Sequence, residues 1–292
     1  MEIPTSIAGV PFNAFLVVVA ALAIVAEVMC LRLWRRRVDL NDTAESMGIG
    51  LLWVGFRLVI AKGLAFGVWV WTWQNLAIFE IDLGDPLAWI GYWLLGDLIY
   101  YWTHRLEHRV RALWCSHLVH HTSEEFNLAT AVRQPWTEAF YKPAIALWAP
   151  LLGFHPAMYV FVGTISLAVG QWQHLGWFPR VWVLDMFVMS PSNHRVHHAR
   201  NREYLDRNFG GSLVVWDKVF GTYAAETKTP EYGVLHYDPP VSIWAKSLGG
   251  FPQLFADMRR GSLARAARLA LGRPASCGSA PARRVTVADS AP

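Results

Sequence analysis

Thiol chemistry has almost no material to work with in this chain. Its 292 residues include three cysteines, Cys30, Cys115 and Cys277. They form neither a CxxC pair nor an even-numbered framework, which excludes a thiolate zinc site, an iron–sulfur cluster and a disulfide scaffold. Charge is also sparse, at 16% of residues against 54% hydrophobic and 14% aromatic, with a mean hydropathy of +0.25. That balance exceeds what a soluble core of this size requires and predicts contact with lipid. No glycine-rich dinucleotide fingerprint, flavin motif, nucleic-acid signature or internal repeat occurs. The formal net charge of +4 comes mostly from arginines and lysines near apolar runs and at the C-terminus. It is read as orientation and lipid headgroup contact rather than nucleic-acid binding.

Histidine is what the chain has instead. Eight of its eleven histidines fall in three tight groups: His104 with His108, His117 with His120 and His121, and His194 with His197 and His198. The first group reads HxxxH and the others HxxHH, so on a helix each group projects its imidazoles from one face. With thiolates excluded, metal ligation falls to nitrogen, which suits Fe, Cu, Zn or Ni. One tetrahedral zinc is saturated by three or four imidazoles, whereas eight are present, or nine with His174, so the supply fits two metals. In a zincin HExxH the glutamate follows the first ligand directly, but the order here is His104-Arg-Leu-Glu107-His108, which fails that pattern. Bis-histidine haem binding uses one imidazole per helix and leaves the doublets His120-His121 and His197-His198 unexplained. A membrane metal carrier, the non-enzymatic alternative, calls for ligands spread through the crossing helices.

The apolar runs predict an all-α integral membrane protein with about four transmembrane helices and a cytoplasmic helical cap that carries the dimetal site. The first run, about Pro11 to Leu33, is followed by Arg35, Arg36 and Arg37, which assigns that end to the cytoplasm and the N-terminus to the other side. Because the basic residues follow the run, it reads as a retained anchor and not as a signal peptide. Glu27, inside it, reads as a snorkelling or helix-paired carboxylate outside the site. A second crossing runs from about Gly63 to Phe79, after Arg57 and Lys62, and a third from about Pro86 to Trp102. A helical hairpin from about Ala139 to Gln173 turns at Gly153 to Pro156. This topology brings His104 to Trp136 and His174 to Tyr237 to one side. It divides the chain into transmembrane helices (1–86), a catalytic region (87–240), an interfacial helix (241–273) and a disordered tail (274–292).

Certain blocks go beyond composition. The run DLIYYWTHRLEH from Asp97 to His108, LWCSHLVHHTS from Leu113 to Ser123 with Asn127 and Arg133 following, and SPSNHRVHHARN from Ser190 to Asn201 are continued by Asp206, Asn208, Trp216, Asp217 and Tyr223. In these blocks the chain resembles the fatty acid hydroxylase superfamily, a histidine-rich group that includes sterol desaturases and ether-lipid monooxygenases. The resemblance implies a non-haem diiron centre that uses O2 and two electrons to hydroxylate or desaturate a C–H bond of a lipid, whether fatty acyl, sterol or other isoprenoid. Ether-lipid cleavage and carotenoid hydroxylation are the alternatives on the same scaffold.

Carried over residue by residue, the implied ligands are His104, His108, His117, His120, His121, His194, His197 and His198, with His174 as an isolated central ligand. Some relatives have a histidine pair in that central element, so a water, His236 or another residue is left to complete the coordination. His155, at the hairpin turn, is not a ligand, and its Pro156-Ala-Met continuation gives no HPGG cytochrome b5 signal. Asp97, Glu107, Asp185 and Asp206 are candidates to hold the outer ring nitrogens of the ligands, or else surface carboxylates. Asp97 stands out because a carboxylate in an apolar helix is costly unless paired. Asn127 and Arg133 are expected to organise the cap. With no redox cofactor motif of its own, the chain requires a separate electron donor of ferredoxin, cytochrome b5 or reductase type.

Overall fold

The computed structural model describes residues 6–7, 10–60, 65–259 and 261–274. After a two-residue antiparallel pairing of β1 (Ser6–Ile7) with β2 (Val10–Pro11), the chain is helical. Two long helices, α1 (Phe12–Leu33) and α2 (Leu40–Ile60), precede α3 (Phe66–Leu76), and α4 (Pro86–Arg109) and α5 (Arg111–His121) follow. The middle of the chain forms α6 (Leu128–Val132), α7 (Glu138–Ile145), α8 (Trp148–Leu152), α9 (Pro156–Gln173), α10 (Trp182–Phe187) and α11 (Pro191–His198). Short helices α12 (Val215–Val219), α13 (Ile243–Ser247), α14 (Phe251–Met258) and α15 (Leu263–Leu271) complete it.

Local sequence sets the starts of the helices that matter for the site. Asp85 caps α4 by accepting from the Leu87 N–H at 2.9 Å, with Pro86 in the first turn, where its missing N–H costs nothing. Ser190 and Pro191 repeat the device for α11, and Asn127 forms a reciprocal capping box with Thr130 at the head of α6. Between α4 and α5 one extended residue, Val110 at φ −109° and ψ 119°, redirects the chain. The histidines of the two helices therefore face each other.

The expectation of about four transmembrane helices is overturned by the helices themselves. Among the described residues no helix is long and apolar enough to cross a membrane. Apart from the first, which forms α1, the sequence runs counted as spans are cut short or diluted when the helices form. With 11 residues, α3 extends about 16 Å against the roughly 30 Å of a bilayer core. The run to Trp102 does not stop there but continues as α4 to Arg109, and so adds His104, Glu107 and His108 to the Asp97 already inside it. The first arm of the hairpin is split into α7, which contains Pro143, and the five-residue α8. Its turn does fall at Gly153 and His155–Pro156, where Gly153 is left-handed and His155 caps α9.

Residues 241–273 also depart from the single interfacial helix expected. They form three short helices, and the Gly250 N–H donates to the Cys115 carbonyl of α5 at 2.9 Å. Leu254 and Ser247 are buried, so this segment backs the histidine helix. The tail from residue 275, Lys62 and Cys277 lie outside the described residues.

The distribution of polarity is inverted relative to an ordinary globular core. Buried positions include many polar and charged side chains, among them His104, Glu107, Arg133 and Asp217. Leu22, Met29, Leu33, Leu87, Trp182 and Phe187 are each at least 60% exposed. An apolar cluster built on Tyr92, Ala149, Phe154 and Met158 joins α4, α8 and α9 at the hairpin turn. Gly153 holds φ +101°, and a Cβ there would lie 1.9 Å from the Phe79 carbonyl oxygen. Gly153→Ala should therefore lose about 2 kcal/mol or more, by combining the left-handed penalty with a backbone clash. A thermal melt of the purified variant would check this, and an unchanged midpoint would contradict it.

Candidate metal centre

Nine histidines converge from four places: His104 and His108 on α4, His117, His120 and His121 on α5, His174 at the C-cap of α9, and His194, His197 and His198 on α11. All nine are at most 5% exposed. They sort into a group of five, His104, His108, His117, His121 and His197, and a group of four, His120, His174, His194 and His198. Within each group the nearest ring nitrogens lie within 4.8 Å of one another. The groups adjoin, since the His121 and His198 rings stack at 4.4 Å and His120 meets His198 at 4.5 Å.

The hydrogen-bond pattern fits this cluster to cations. His104 Nδ1 faces the Phe209 carbonyl at 3.0 Å, His174 Nδ1 that of Gly170 at 2.7 Å, and His197 Nδ1 that of Arg207 at 3.0 Å. A carbonyl only accepts, so in each neutral ring Nδ1 carries the hydrogen and Nε2 keeps its lone pair. His120 Nδ1 lies 3.3 Å from the Arg133 carbonyl. His117 Nδ1 faces Glu107 at 3.5 Å and Glu138 at 3.8 Å, which points its Nε2 lone pair inward too. His104 Nε2 and His117 Nε2 then stand 3.0 Å apart. Two facing lone pairs repel unless a positive ion lies near both. The buried Nε2 of His197 has no hydrogen-bond partner among the described residues, a desolvated donor of the kind a metal satisfies.

Electrostatics keeps the rings neutral and ready to ligate. Burial, then the neighbouring imidazoles, drive His104, His108, His117, His121, His194 and His198 well below the usual histidine range. Burial lowers His174 to about 4 and His197 to about 4, against partial compensation from their backbone carbonyls. Beside the group of five lies a cavity of about 40 Å³, lined by His108, His121, His197 and His198 together with Trp114 and Val234. It has room for a water-sized molecule. His155 and His236 are elsewhere: His155 caps α9 and packs on Trp73 at 4.6 Å, and His236 belongs to neither group.

The carboxylates expected around the ligands take different parts. Like Glu107 at His117, Asp206 faces an imidazole, at 3.9 Å from His108 Nδ1, and it also pairs with Arg109 at 3.1 Å. Asp97 accepts from the Ser212 and Leu213 N–H groups at 2.6 and 3.2 Å and from Trp216 Nε1 at 2.9 Å. It fastens the loop that follows Phe209 rather than a ring. Asp185 accepts from Ser190 Oγ at 2.5 Å and so steadies the cap of α11. Asn127 caps α6. Arg133 donates to the Val119 carbonyl at 3.2 Å, Thr122 at 3.0 Å and Asp42 at 3.2 Å, which ties the end of α5 to α2.

Three further residues were not legible in the sequence. Glu138 and Lys142 join Glu107 against His117: Lys142 Nζ lies 2.7 Å from Glu138 and 3.4 Å from Glu107. Burial raises Glu138 to about 7 in spite of Lys142. Their i,i+4 spacing was the available signal, but only tertiary packing aims them at α5. The third is Asp217, whose motif gives it no individual part. It accepts from the Phe209 and Gly210 N–H groups at 2.8 Å each and thereby sets the carbonyl that orients His104.

A family model described as Fatty acid hydroxylase matches residues 89–222, a range that contains all nine histidines. Alkylglycerol monooxygenase from Homo sapiens is 33% identical over 224 residues, covering 74% of this chain and 48% of that protein. The Danio rerio protein of the same name is 32% identical over 225 residues, 75% of this chain and 48% of its own. Ornithine lipid hydroxylase OlsE from Rhizobium tropici is 26% identical over 231 residues, 73% of this chain and 66% of its own. The chain thus spans about half the length of the alkylglycerol monooxygenases it matches. No solved structure matches.

Metal-free protein should lose stability as pH falls. A histidine held below its ordinary value is neutral when folded and protonates first in the unfolded chain, so the unfolded state binds more protons and stability drops with pH. For His174 and His197 the loss should begin near the ordinary histidine value of 6.5 and run down toward about 4. Thermal melts of chelator-treated protein at successive pH values measure it; a midpoint flat across that window would contradict the assignment of buried neutral rings.

Proposed function

The chain belongs to the fatty acid hydroxylase superfamily, and from the two histidine groups we propose that it is a membrane-associated non-haem diiron oxygenase that hydroxylates a lipid. The observation that carries this reading is the division of nine buried imidazoles into adjoining groups of five and four, each group large enough to hold one ion. In this reading His104, His108, His117, His121 and His197 hold one iron, and His120, His174, His194 and His198 hold the other. The iron pair, when bound, supplies the activation of O2 for attack on an unactivated C–H bond.

The protein's own contribution is orientation and exclusion of water. Backbone carbonyls of Gly170, Arg207 and Phe209 fix the tautomers of three ligands. Tyr100 and Phe209 pack edge-on against His104, and Phe126 stacks on His174 at 5.2 Å, which keeps bulk water from both groups. Exposed apolar residues on α1, α9 and α10, among them Leu22, Phe161 and Phe187, support seating in a lipid layer. The arginines after α1 support the cytoplasmic leaflet, whose anionic headgroups attract them. Electrons come from a separate ferredoxin, cytochrome b5 or reductase, since the chain offers no cysteine set or flavin motif. Within the class, the name carried by the 33% and 32% identical relatives favours a lipid built on an alkylglycerol as substrate.

Metal analysis tests the reading directly. Purified wild type should hold two iron ions per chain. His197→Ala and His120→Ala, one from each group, should each lose iron and at least about 100-fold of O2-dependent turnover, a loss typical of a broken metal shell. Lipid extracts should show a +16 mass product only with wild type. Full iron in both variants would defeat the ligand assignment.

A further inference from the structure

A charged cleft at the end of α1 is left unused by the histidine chemistry. Arg32, Arg36, Arg37, Val38, Asp39 and Glu125 line an open cavity of about 560 Å³. Arg35 stands there at φ +56°, a left-handed conformation that is unfavourable for a residue with a Cβ. Its N–H bonds the Arg32 carbonyl and the Arg36 N–H bonds the Leu31 carbonyl, both at 2.9 Å. The turn wraps the chain so that Arg36 and Arg37 share one cleft with Arg32.

The two acidic side chains of the cleft are already engaged. Glu125 accepts from the Asp39 N–H at 2.9 Å and from Asn127 Nδ2 at 3.1 Å, and Asp39 Oδ1 accepts from the Asn41 and Asp42 N–H groups at 2.8 and 3.3 Å. None of the three guanidiniums takes part in an ion pair or side-chain hydrogen bond among the described residues. Planar guanidinium forks match phosphate oxygens in pairs.

The surroundings of the cleft specify the ligand further. Leading up to it along α1, Leu22, Val25, Met29 and Leu33 form a stripe at helical spacing, each at least 50% exposed. On its other side Glu125 is followed at once by Phe126, whose ring stacks on His174 and meets His198 edge-on, both at 5.2 Å. The basic cleft thus lies at the end of an apolar stripe and one residue along the chain from a ring that packs on the group of four histidines. We infer that this cleft binds the phosphate of the lipid on which the enzyme acts, so that the substrate class is a phosphate-bearing lipid. The inference rests on the lipid-hydroxylase reading for the oxidation of the bound lipid, but not for binding itself.

The test compares a fluorescent alkylglycerol phosphate with the uncharged alkylglycerol of the same chain, bound in detergent micelles by full-length protein. Wild type should bind the phosphate lipid about tenfold more tightly, a difference of about 1.4 kcal/mol. Arg32→Gln/Arg36→Gln/Arg37→Gln should lose most of that preference. Arg259→Gln/Arg265→Gln/Arg268→Gln, which removes equal charge elsewhere, should keep it. Equal binding of the two lipids by wild type would overturn the inference, as would equal losses in the two triple variants. So would displacement of a phosphate probe by inorganic phosphate with no preference for the phosphate lipid, because the lipid would then not be the source. Turnover measured in parallel separates the claims: discrimination in binding without any oxygenated product sinks the hydroxylase reading and leaves the cleft standing, whereas product without discrimination does the reverse.

Discussion

Nine neutral imidazoles share a dry interior, and much of the surrounding structure serves to hold them there. Where a ring's other nitrogen faces an acceptor, the tautomer and the direction of the lone pair are set. Carbonyls of Phe209, Gly170 and Arg207 do this for His104, His174 and His197. Glu107 and Glu138 do it for His117. The partners come from segments far apart in the chain, so the cluster and the tertiary fold stand or fall together.

Buried polar groups elsewhere act as brackets for those partners. Asp217 holds the Phe209 and Gly210 amides, and Asp97 the amides of Ser212 and Leu213. Gly211 is needed between them, since a Cβ there would sit 2.8 Å from Asp97 Oδ1. On the other side Glu27 of α1 accepts from the Leu128 N–H at 2.7 Å and from Trp177 Nε1 at 3.0 Å. That contact clamps the first helix to the segments on either side of Phe126 and His174. Burial pushes both Glu27 and Asp97 above the usual carboxylate range. Their hydrogen bonds oppose that shift, which is how a charged group becomes tolerable in such an interior.

The inverted polarity follows from the same arrangement. With the interior given over to imidazoles, carboxylates and guanidinium groups, apolar packing is confined to small clusters such as the one around Tyr92 and Met158. The remaining large apolar side chains are displaced to the exterior of α1, α3, α9 and α10. In water such a surface is a liability; against hydrocarbon it is the favourable arrangement.

Which imidazoles could act together was readable from the chain alone. Three histidine groups at helical spacing, thiolates too few to compete and a long family motif made the nine ring nitrogens legible. The sequence also misled, because hydropathy runs count as membrane crossings only until helix ends, the break inside the hairpin and the polar half of α4 are known. Packing alone reveals how the nine divide into five and four, that Asp97 and Asp185 hold backbone and a cap rather than rings, and that Glu138 approaches His117 with Lys142 paired to it. The physical reason is that side-chain periodicity is a local property of a few turns. Which lone pairs meet, and which carboxylate stands behind them, depends on packing between segments far apart in the chain, as the Asp97 bonds to Ser212, Leu213 and Trp216, 115 to 119 residues away, illustrate.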